Sequence, residues 1–187
     1  MECHKQSLLE PSHLYFYQEL AKVPKKRGVY AWYFREVPPH VPIEKCRKFE
    51  NHTLLYVGQA SKQTLHDRIR NHYCGKACSS TLRLTIGCLL SEELKIQLHC
   101  IGSSENKFKF DNEEKLSIWM KQNAFVVWIE DSDPRKLEKE IITDPNFSLP
   151  LNLANNHAHP FHETLSSIRR ECKTLARKRR LELVKES

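Results

Sequence analysis

The pattern of hydrophobic positions predicts three strands. Three short segments are rich in the β-branched and aromatic residues typical of strands: GVYAWYF at 28–34, TLLYVG at 53–58 and FVVWI at 125–129. A proline-rich stretch separates the first two, which predicts a loop over residues 35–52. With three such segments, the chain is expected to form only a small sheet.

Helical signals surround these strands. Polar N-caps and apolar spacings of three and four residues predict helices over 12–22, 62–73, 81–90, 112–122, from Pro134 to before Pro145, and after Pro160. Residues 81–90 also alternate as a strand would, and we prefer the helix. Residues 91–111 are mixed and charged, which indicates an elaboration of the core. This order of elements favours an α+β fold, a small three-stranded antiparallel sheet flanked by helices.

Charge and composition favour a folded protein with an anionic partner. Lys and Arg number 30 against 23 Asp and Glu, a formal net charge of +7, and there are ten histidines. No run approaches the ~18 apolar residues of a membrane span, so we expect no association with membranes. The N-terminus lacks the pattern of a signal peptide, so we do not expect secretion. Seven cysteines, an odd number at scattered spacings, indicate reduced thiols in the cytoplasm.

Two tripeptides mirror each other on the first two predicted strands. They are Gly28-Val29-Tyr30 and Tyr56-Val57-Gly58. Facing residues of an antiparallel pair have a constant sum of sequence numbers, and the pairs Tyr30–Tyr56 and Gly28–Gly58 both sum to 86. We therefore expect a register that places tyrosine beside tyrosine and glycine beside glycine. Glycine inside a strand indicates the close approach of a ligand or another backbone.

With these motifs the sequence resembles the GIY-YIG nuclease family, which includes homing endonucleases, some restriction enzymes and the incision subunit of nucleotide excision repair. The family's next helix carries an arginine and often a histidine four residues later, and Arg68 and His72 fit these places. A later helix carries a metal-binding glutamate, and an asparagine follows near the end of the core. Glu138 and Asn152 fit them. The resemblance covers roughly residues 27–153.

The resemblance implies an organisation and an activity. The implied parts are an N-terminal helical extension (1–26), a catalytic domain (27–153) with a helical insertion at about 91–123, and a basic C-terminal helix (154–187). The implied activity is that of an endonuclease that hydrolyses DNA with Mg²⁺ or Mn²⁺. A homodimer would allow both strands to be cut.

Two glutamates compete for the place of the metal ligand. At about 100° per residue from Leu137, the helix puts Ile141 near 40° and Ile142 near 140°. On this scale Glu138 lies at about 100°, inside the apolar arc, and Glu140 lies at about 300°, towards solvent. A carboxylate on a buried face is costly unless a partner or a metal satisfies it. We therefore choose Glu138.

The resemblance implies a role for each of these residues. Glu138 would hold the metal, because a hard divalent cation needs only one or two carboxylates and completes its shell with water and phosphate. Arg68 would bind the phosphate. The metal, Arg68 or His72 would stabilise the phenolate of the base, and Arg68 and His72 lie on the same side of their helix. Tyr56 would be the general base, with Tyr30 orienting the water or sharing that role. Asn152 would orient a loop of the site.

The last predicted helix is strongly basic. Apolar residues recur along it with spacings of four and three, and cations occupy positions off that stripe. The cations predicted to contact DNA phosphates are Arg169, Arg170, Lys173, Arg177, Lys178, Arg179 and Arg180. A solvated helix face is the equally weighted alternative for this run.

Two other functions stay open at this point. One is a DNA-binding module that keeps the fold and has lost the chemistry, and the other is a protein-interaction domain in which the tyrosines are core residues. Neither the recognition sequence nor the shape of the DNA substrate can be deduced from one chain, because specificity depends on base-edge contacts and DNA deformability.

Overall fold

A four-stranded antiparallel sheet forms the centre of the protein, in a computed structural model that describes residues 2–185 and the side chains of residues 5–183. The strands are β1 (Gly28–Phe34), β2 (Lys48–Phe49), β3 (His52–Ala60), β4 (Leu98–Cys100), β5 (Phe108–Phe110) and β6 (Ala124–Glu130). The helices are α1 (Glu2–Leu9), α2 (Leu65–Cys74), α3 (Thr81–Leu89), α4 (Glu113–Asn123), α5 (Pro134–Ile142) and α6 (His162–Lys185). The α+β class is thus confirmed.

The central sheet has one strand more than predicted. Its order is β2-β3-β1-β6, and all neighbours are antiparallel. The extra strand, β2, lies in the segment predicted as a loop and forms a tight hairpin with the start of β3, in which Glu50 adopts a φ of 50°. Two residues are too few to carry an alternating pattern, so this strand left no signal in the sequence.

The predicted register between β1 and β3 is wrong by two residues. Tyr30 faces Gly58 and Gly28 faces Ala60, and a bulge follows after Trp32. The reason is steric: a Cβ added to Gly58 would lie 2.5 Å from the Tyr30 hydroxyl oxygen. The Tyr30 ring therefore lies across the glycine. Tyr56 is two residues from Gly58 on β3, so the two tyrosines are diagonal neighbours on one face.

Both faces of the sheet are covered. Tyr30, Trp32 and Phe34 of β1 pack into the larger core with α2, α3, α4 and α6. The alternate residues of β1 pack into a second core with residues of α1 and α5. Because β1 is central and covered on both sides, all seven of its residues are buried.

Four helix starts follow from their caps. The side chains of Thr64, Ser80, Asn112 and Asp133 each accept a hydrogen bond from a backbone N–H of the first turn of α2, α3, α4 and α5. The helices predicted at these positions are confirmed. The one predicted over 12–22 is only a 3-10 turn, Tyr17–Lys22, because the backbone of Tyr15 pairs with Val126 of β6 instead. Helix α1 lies in the extension of residues 1–26 that was expected to be helical, at a position that the sequence pattern did not single out.

The insertion is helical only in its last third, which is α4. The preceding part contains the hairpin β4–β5, in which Leu98, Phe108 and Phe110 are buried while Lys109 is exposed. Helix α6 packs against this hairpin and against α3. Within residues 2–185, no helix is both long enough and apolar enough to cross a bilayer. The six cysteines with described side chains are free thiols, and the side chain of Cys3 lies outside that range.

Candidate active site

Tyr30, Tyr56 and His72 form the floor of the site. The ring centroids of Tyr30 and His72 are 5.3 Å apart, and those of Tyr56 and His72 are 6.2 Å apart. Tyr30 and His72 are fully buried, whereas Tyr56 keeps 9% of its surface exposed. The glycine at position 58 makes this arrangement feasible, because it leaves room for the Tyr30 ring.

A chain of hydrogen bonds runs from Tyr30 into the protein. The Tyr30 hydroxyl lies 2.7 Å from His72 Nε2, and His72 Nδ1 lies 2.6 Å from Ser80 Oγ. Ser80 Oγ already accepts the backbone N–H of Arg83. A neutral imidazole carries one N–H, so His72 donates in one of these two contacts and accepts in the other.

Arg68 reaches the same oxygen from the other side. Its Nε donates to the Tyr30 hydroxyl at 3.2 Å, and its Nη1 donates to the carbonyl of Ser79 at 3.0 Å. Arg68 and His72 are four residues apart on α2, so they project from one side of that helix. The two contacts fix the guanidinium and leave further N–H groups for a ligand.

The environment of the site keeps both phenols protonated and the imidazole neutral. Burial raises the pKa of Tyr30 well above its ordinary value, and Tyr56 adds to the rise. Burial also raises the pKa of Tyr56 to about 12, although Arg68 opposes it. Burial, with the charges of Arg68 and Arg83 in support, holds the pKa of His72 well below 6.5. Hydrogen-bond donors to a phenolate act against this trend.

Glu138 of α5 is half-buried beside the tyrosines. Burial raises the pKa of its carboxyl to about 7, and the guanidinium of Arg68 offsets part of this rise. Among the described residues, Glu138 has no hydrogen-bond or ion-pair partner, whereas Glu140 is exposed to solvent. A half-buried carboxylate without a partner fits a hard divalent cation that takes its other ligands from water and substrate. No group of three or more His, Cys, Asp or Glu suited to a metal occurs in the described part of the chain.

Asn152 lies behind the tyrosines and binds backbone. Its Oδ1 accepts the N–H of Val57 at 2.9 Å, and its Nδ2 donates to the carbonyl of Val57 at 2.7 Å. The side chain is buried, and its amide replaces a strand partner along the edge of β3. Asn152 therefore holds the strand that carries Tyr56 and does not itself enter the cleft.

Comparison of the sequence with models of known protein families identifies the type of domain. The family model described as the GIY-YIG catalytic domain matches residues 28–171, which is more than half of the chain. The chain belongs to the GIY-YIG family. No curated protein and no solved structure matches it. The family is one of nucleases, so the domain is of a nuclease type.

In this GIY-YIG protein the basic residues of α6 face different surroundings. Three of them hold the insertion: Arg177 Nε donates to the carbonyl of Glu105, Arg179 Nη1 donates to the carbonyl of Leu98, and Arg180 lies 3.8 Å from the Glu105 carboxylate. Arg170 pairs with Glu163 at the surface, and Lys178 is exposed. Lys173 and Arg68 line one cavity of about 190 Å³. The predicted set of seven is therefore not one exposed face.

Sequence reasoning missed two features of this GIY-YIG site. Ser80 is the N-cap of α3, and its contact with His72 depends on how α3 packs on α2. Arg169 was placed among the surface cations, yet its guanidinium is largely buried and close enough to lower the pKa of Tyr56. The one available signal was its position directly after Ile168 of the apolar stripe.

Proposed function

We propose that this protein is a metal-dependent DNA endonuclease that hydrolyses phosphodiester bonds. The observation that supports the proposal most directly is the position of the Tyr30 oxygen, between Arg68 Nε at 3.2 Å and His72 Nε2 at 2.7 Å. Tyr56 and Glu138 lie next to this triad. Hydrolysis of a phosphodiester needs a proton acceptor, a cation for the phosphoryl oxygens and a place for a metal, and this group of side chains offers all three.

The hydrogen bonds favour Tyr30 as the general base. Its oxygen accepts from Arg68 Nε and lies 2.7 Å from His72 Nε2, so both side chains are placed to donate to the phenolate that forms when the proton leaves. Burial acts in the opposite direction and raises the pKa of both tyrosines. Tyr56 has the partly exposed position that suits a group that holds the attacking water. The assignment made from the family resemblance, with Tyr56 as the base, is the alternative.

Glu138 is the residue that would hold Mg²⁺ or Mn²⁺. Its carboxylate is half-buried, and among the described residues it has no partner that would compete with a cation. A bound divalent cation supplies positive charge for the oxygens of the phosphoryl group. Arg68 supplies a second positive charge there, and its two protein contacts keep it in place. His72 positions Tyr30, and Ser80 in turn positions His72.

The DNA backbone would contact the exposed cations of α6. Arg170 and Lys178 are exposed, and Lys173 lines the cavity that Arg68 also lines. Contacts of this kind carry no sequence information and weaken steeply with salt. They hold the duplex, and the choice of substrate then depends on DNA shape and on base contacts elsewhere.

A cleavage assay with a matched pair of variants tests the proposal. Wild-type protein, Glu138→Gln and Glu140→Gln are incubated with plasmid, branched and single-stranded DNA in Mg²⁺, Mn²⁺ or EDTA. Both substitutions remove one charge from α5, but only Glu138 lies by the tyrosines. We expect the wild type and Glu140→Gln to cut at least one substrate with either cation. Glu138→Gln should lose at least about 10²-fold in rate, and EDTA should stop the wild type.

Two results would contradict the proposal. The absence of cleavage by the wild type in every arm favours the inactive DNA-binding module, provided that binding persists. Equal rates for Glu138→Gln and wild type would remove Glu138 from the site. Tyr30→Phe and Tyr56→Phe then identify the general base. The variant that lacks the general base should lose more of the cleavage rate, and its rate should no longer depend on pH in the alkaline range.

A further inference from the structure

We propose that Arg169 is a second active-site cation, which binds a phosphoryl oxygen of the nucleic acid in addition to Arg68. This inference rests on the proposed function, because it takes a phosphodiester as the ligand. The sequence pattern predicts Arg169 on the surface of α6, whereas this proposal assigns it to the cleft beside Tyr56. Arg169 would thus contact the reacting group, unlike the other cations of its helix.

The position of Arg169 is set by the packing of α6. Leu165, Ile168 and Cys172 turn towards the main core, and Leu165 is fully buried. Arg169 is adjacent to this face and follows Ile168 directly, so its side chain lies along the boundary between the core and the cleft. Its Nε is buried and has no hydrogen-bond partner within the described structure. Buried guanidinium N–H groups normally have partners, so a guanidinium whose Nε has none is unusual in a folded protein.

Among the residues that the structure describes, no carboxylate pairs with Arg169. Burial lowers its pKa, and the described groups that act in the opposite direction are Cys88 and Tyr56. Both are held protonated: a hydrogen bond to Cys172 and burial raise the pKa of Cys88, and burial raises that of Tyr56 to about 12. Neither carries a negative charge near pH 7. An uncompensated, largely buried cation is costly to the fold, and an arriving anion would relieve that cost.

Neighbouring cations increase the demand for an anion. Lys173 follows Arg169 by one helical turn, and burial together with the charge of Arg169 lowers its pKa. Lys173 and Arg68 line the same cavity of about 190 Å³. A cleft with positive charge on two walls attracts the backbone of a nucleic acid and concentrates it there. Among the cations of α6, Arg169 is the one whose charge lowers the pKa of Tyr56.

The test compares Arg169→Met and Arg169→Lys with Arg35→Met in the full chain. Met removes the charge and keeps an unbranched side chain, and Arg35 provides the same change at an exposed position beyond the far end of β1. The first measurement is thermal unfolding in EDTA, with and without inorganic pyrophosphate as the probe. We expect pyrophosphate to raise the Tm of the wild type and of Arg35→Met, and to raise that of Arg169→Met by less than half as much.

Without pyrophosphate, the Tm of Arg169→Met should equal or exceed that of the wild type, because an apolar group replaces an uncompensated charge. A purely structural arginine would produce the opposite change. The second measurement is single-turnover cleavage of a substrate that the wild type cuts. Arg169→Met should lose about 10²–10³-fold in rate, while its affinity for that DNA in EDTA stays within about threefold, since most of the binding energy comes from many phosphate contacts.

An unchanged pyrophosphate shift in Arg169→Met, or an unchanged cleavage rate, would overturn the inference. If Arg169→Met does not fold, Arg169→Lys decides, because lysine keeps the charge but lacks the planar fork. Its pyrophosphate shift and cleavage rate should both fall, and full retention of both would overturn the inference. A third outcome separates the two proposals. If the wild type cuts no DNA but Arg169→Met still loses the pyrophosphate shift, the anion site is supported and only the proposed function is refuted.

Discussion

The substitution Gly58→Ala tests the arrangement on which the site depends. The new Cβ would lie 2.5 Å from the hydroxyl oxygen of Tyr30 and 2.7 Å from its Cζ. Carbon and oxygen atoms in contact need roughly 3.4 Å or more, so the ring must move by about 0.9 Å. Tyr30 is fully buried and hydrogen-bonded to His72, so it cannot move freely. Overpacking of this kind costs about 1–3 kcal/mol.

The expected effect on activity is larger than the effect on stability. At about 2–4 °C per kcal/mol for a chain of this size, the Tm should fall by roughly 2–12 °C. A displacement of the Tyr30 oxygen by about 1 Å should lower the cleavage rate about 10²-fold. Gly102→Ala is the control: a Cβ there meets no atom within 4 Å, although its φ of +55° makes a small loss of stability expected.

The assay measures the cleavage rate at a temperature well below both Tm values, with circular dichroism to confirm that each variant is folded. Gly102→Ala should cut at the wild-type rate. A Gly58→Ala protein with unchanged Tm and unchanged rate would show that the Tyr30 ring does not lie across this glycine. The β1–β3 register and the fixed position of the Tyr30 oxygen would then both be wrong.

Two further predictions concern the residues behind the cleft. Asn152→Ala should lower the free energy of unfolding by about 2–4 kcal/mol, because it leaves the buried N–H and C=O of Val57 without partners. Urea denaturation measures this free energy, and a loss below about 0.5 kcal/mol would contradict the prediction. The pKa of His72 is held well below 6.5 in the folded state, so the unfolded chain gains a proton that the folded chain does not as the pH falls through 6.5. The stabilisation linked to neutral His72 is therefore present above pH 6.5 and is lost below it. Between pH 6.5 and 5 the free energy of unfolding should fall less steeply in His72→Gln than in the wild type, by up to about 1.4 kcal/mol per pH unit. Equal slopes of this free energy against pH would refute the lowered pKa of His72.

Local signals predicted most of the elements. The caps at Thr64, Ser80, Asn112 and Asp133 start helices because each side chain accepts a backbone N–H of the first turn, and such signals can be read from sequence alone. The strands rich in aromatic and β-branched residues are likewise where expected. Burial of Glu138 and exposure of Glu140 agree with the helical angles computed from the apolar residues of α5.

Features set by packing between elements could not be predicted. The mirrored motifs favour a register with tyrosine opposite tyrosine, but the Tyr30 ring needs the space over Gly58, and this steric demand appears only in three dimensions. The hairpin β4–β5 was hidden because each strand has three residues. The inward position of Arg169 depends on the rotation of α6 against α3, which the amphipathic pattern fixes only to within one residue.

The way in which the sheet ends limits how copies of this protein can associate. On one side, the side chain of Asn152 and the N–H of Leu151, which donates to the carbonyl of Leu55, occupy the free edge of β3 beyond β2. On the other side, Tyr15 exchanges two hydrogen bonds with Val126 of β6. Blocked edges of this kind protect a sheet from strand addition and aggregation. A dimer that joined its sheets at these positions would first have to break these contacts, so contact through helices or loops is the easier route for two copies that cut both strands of a duplex.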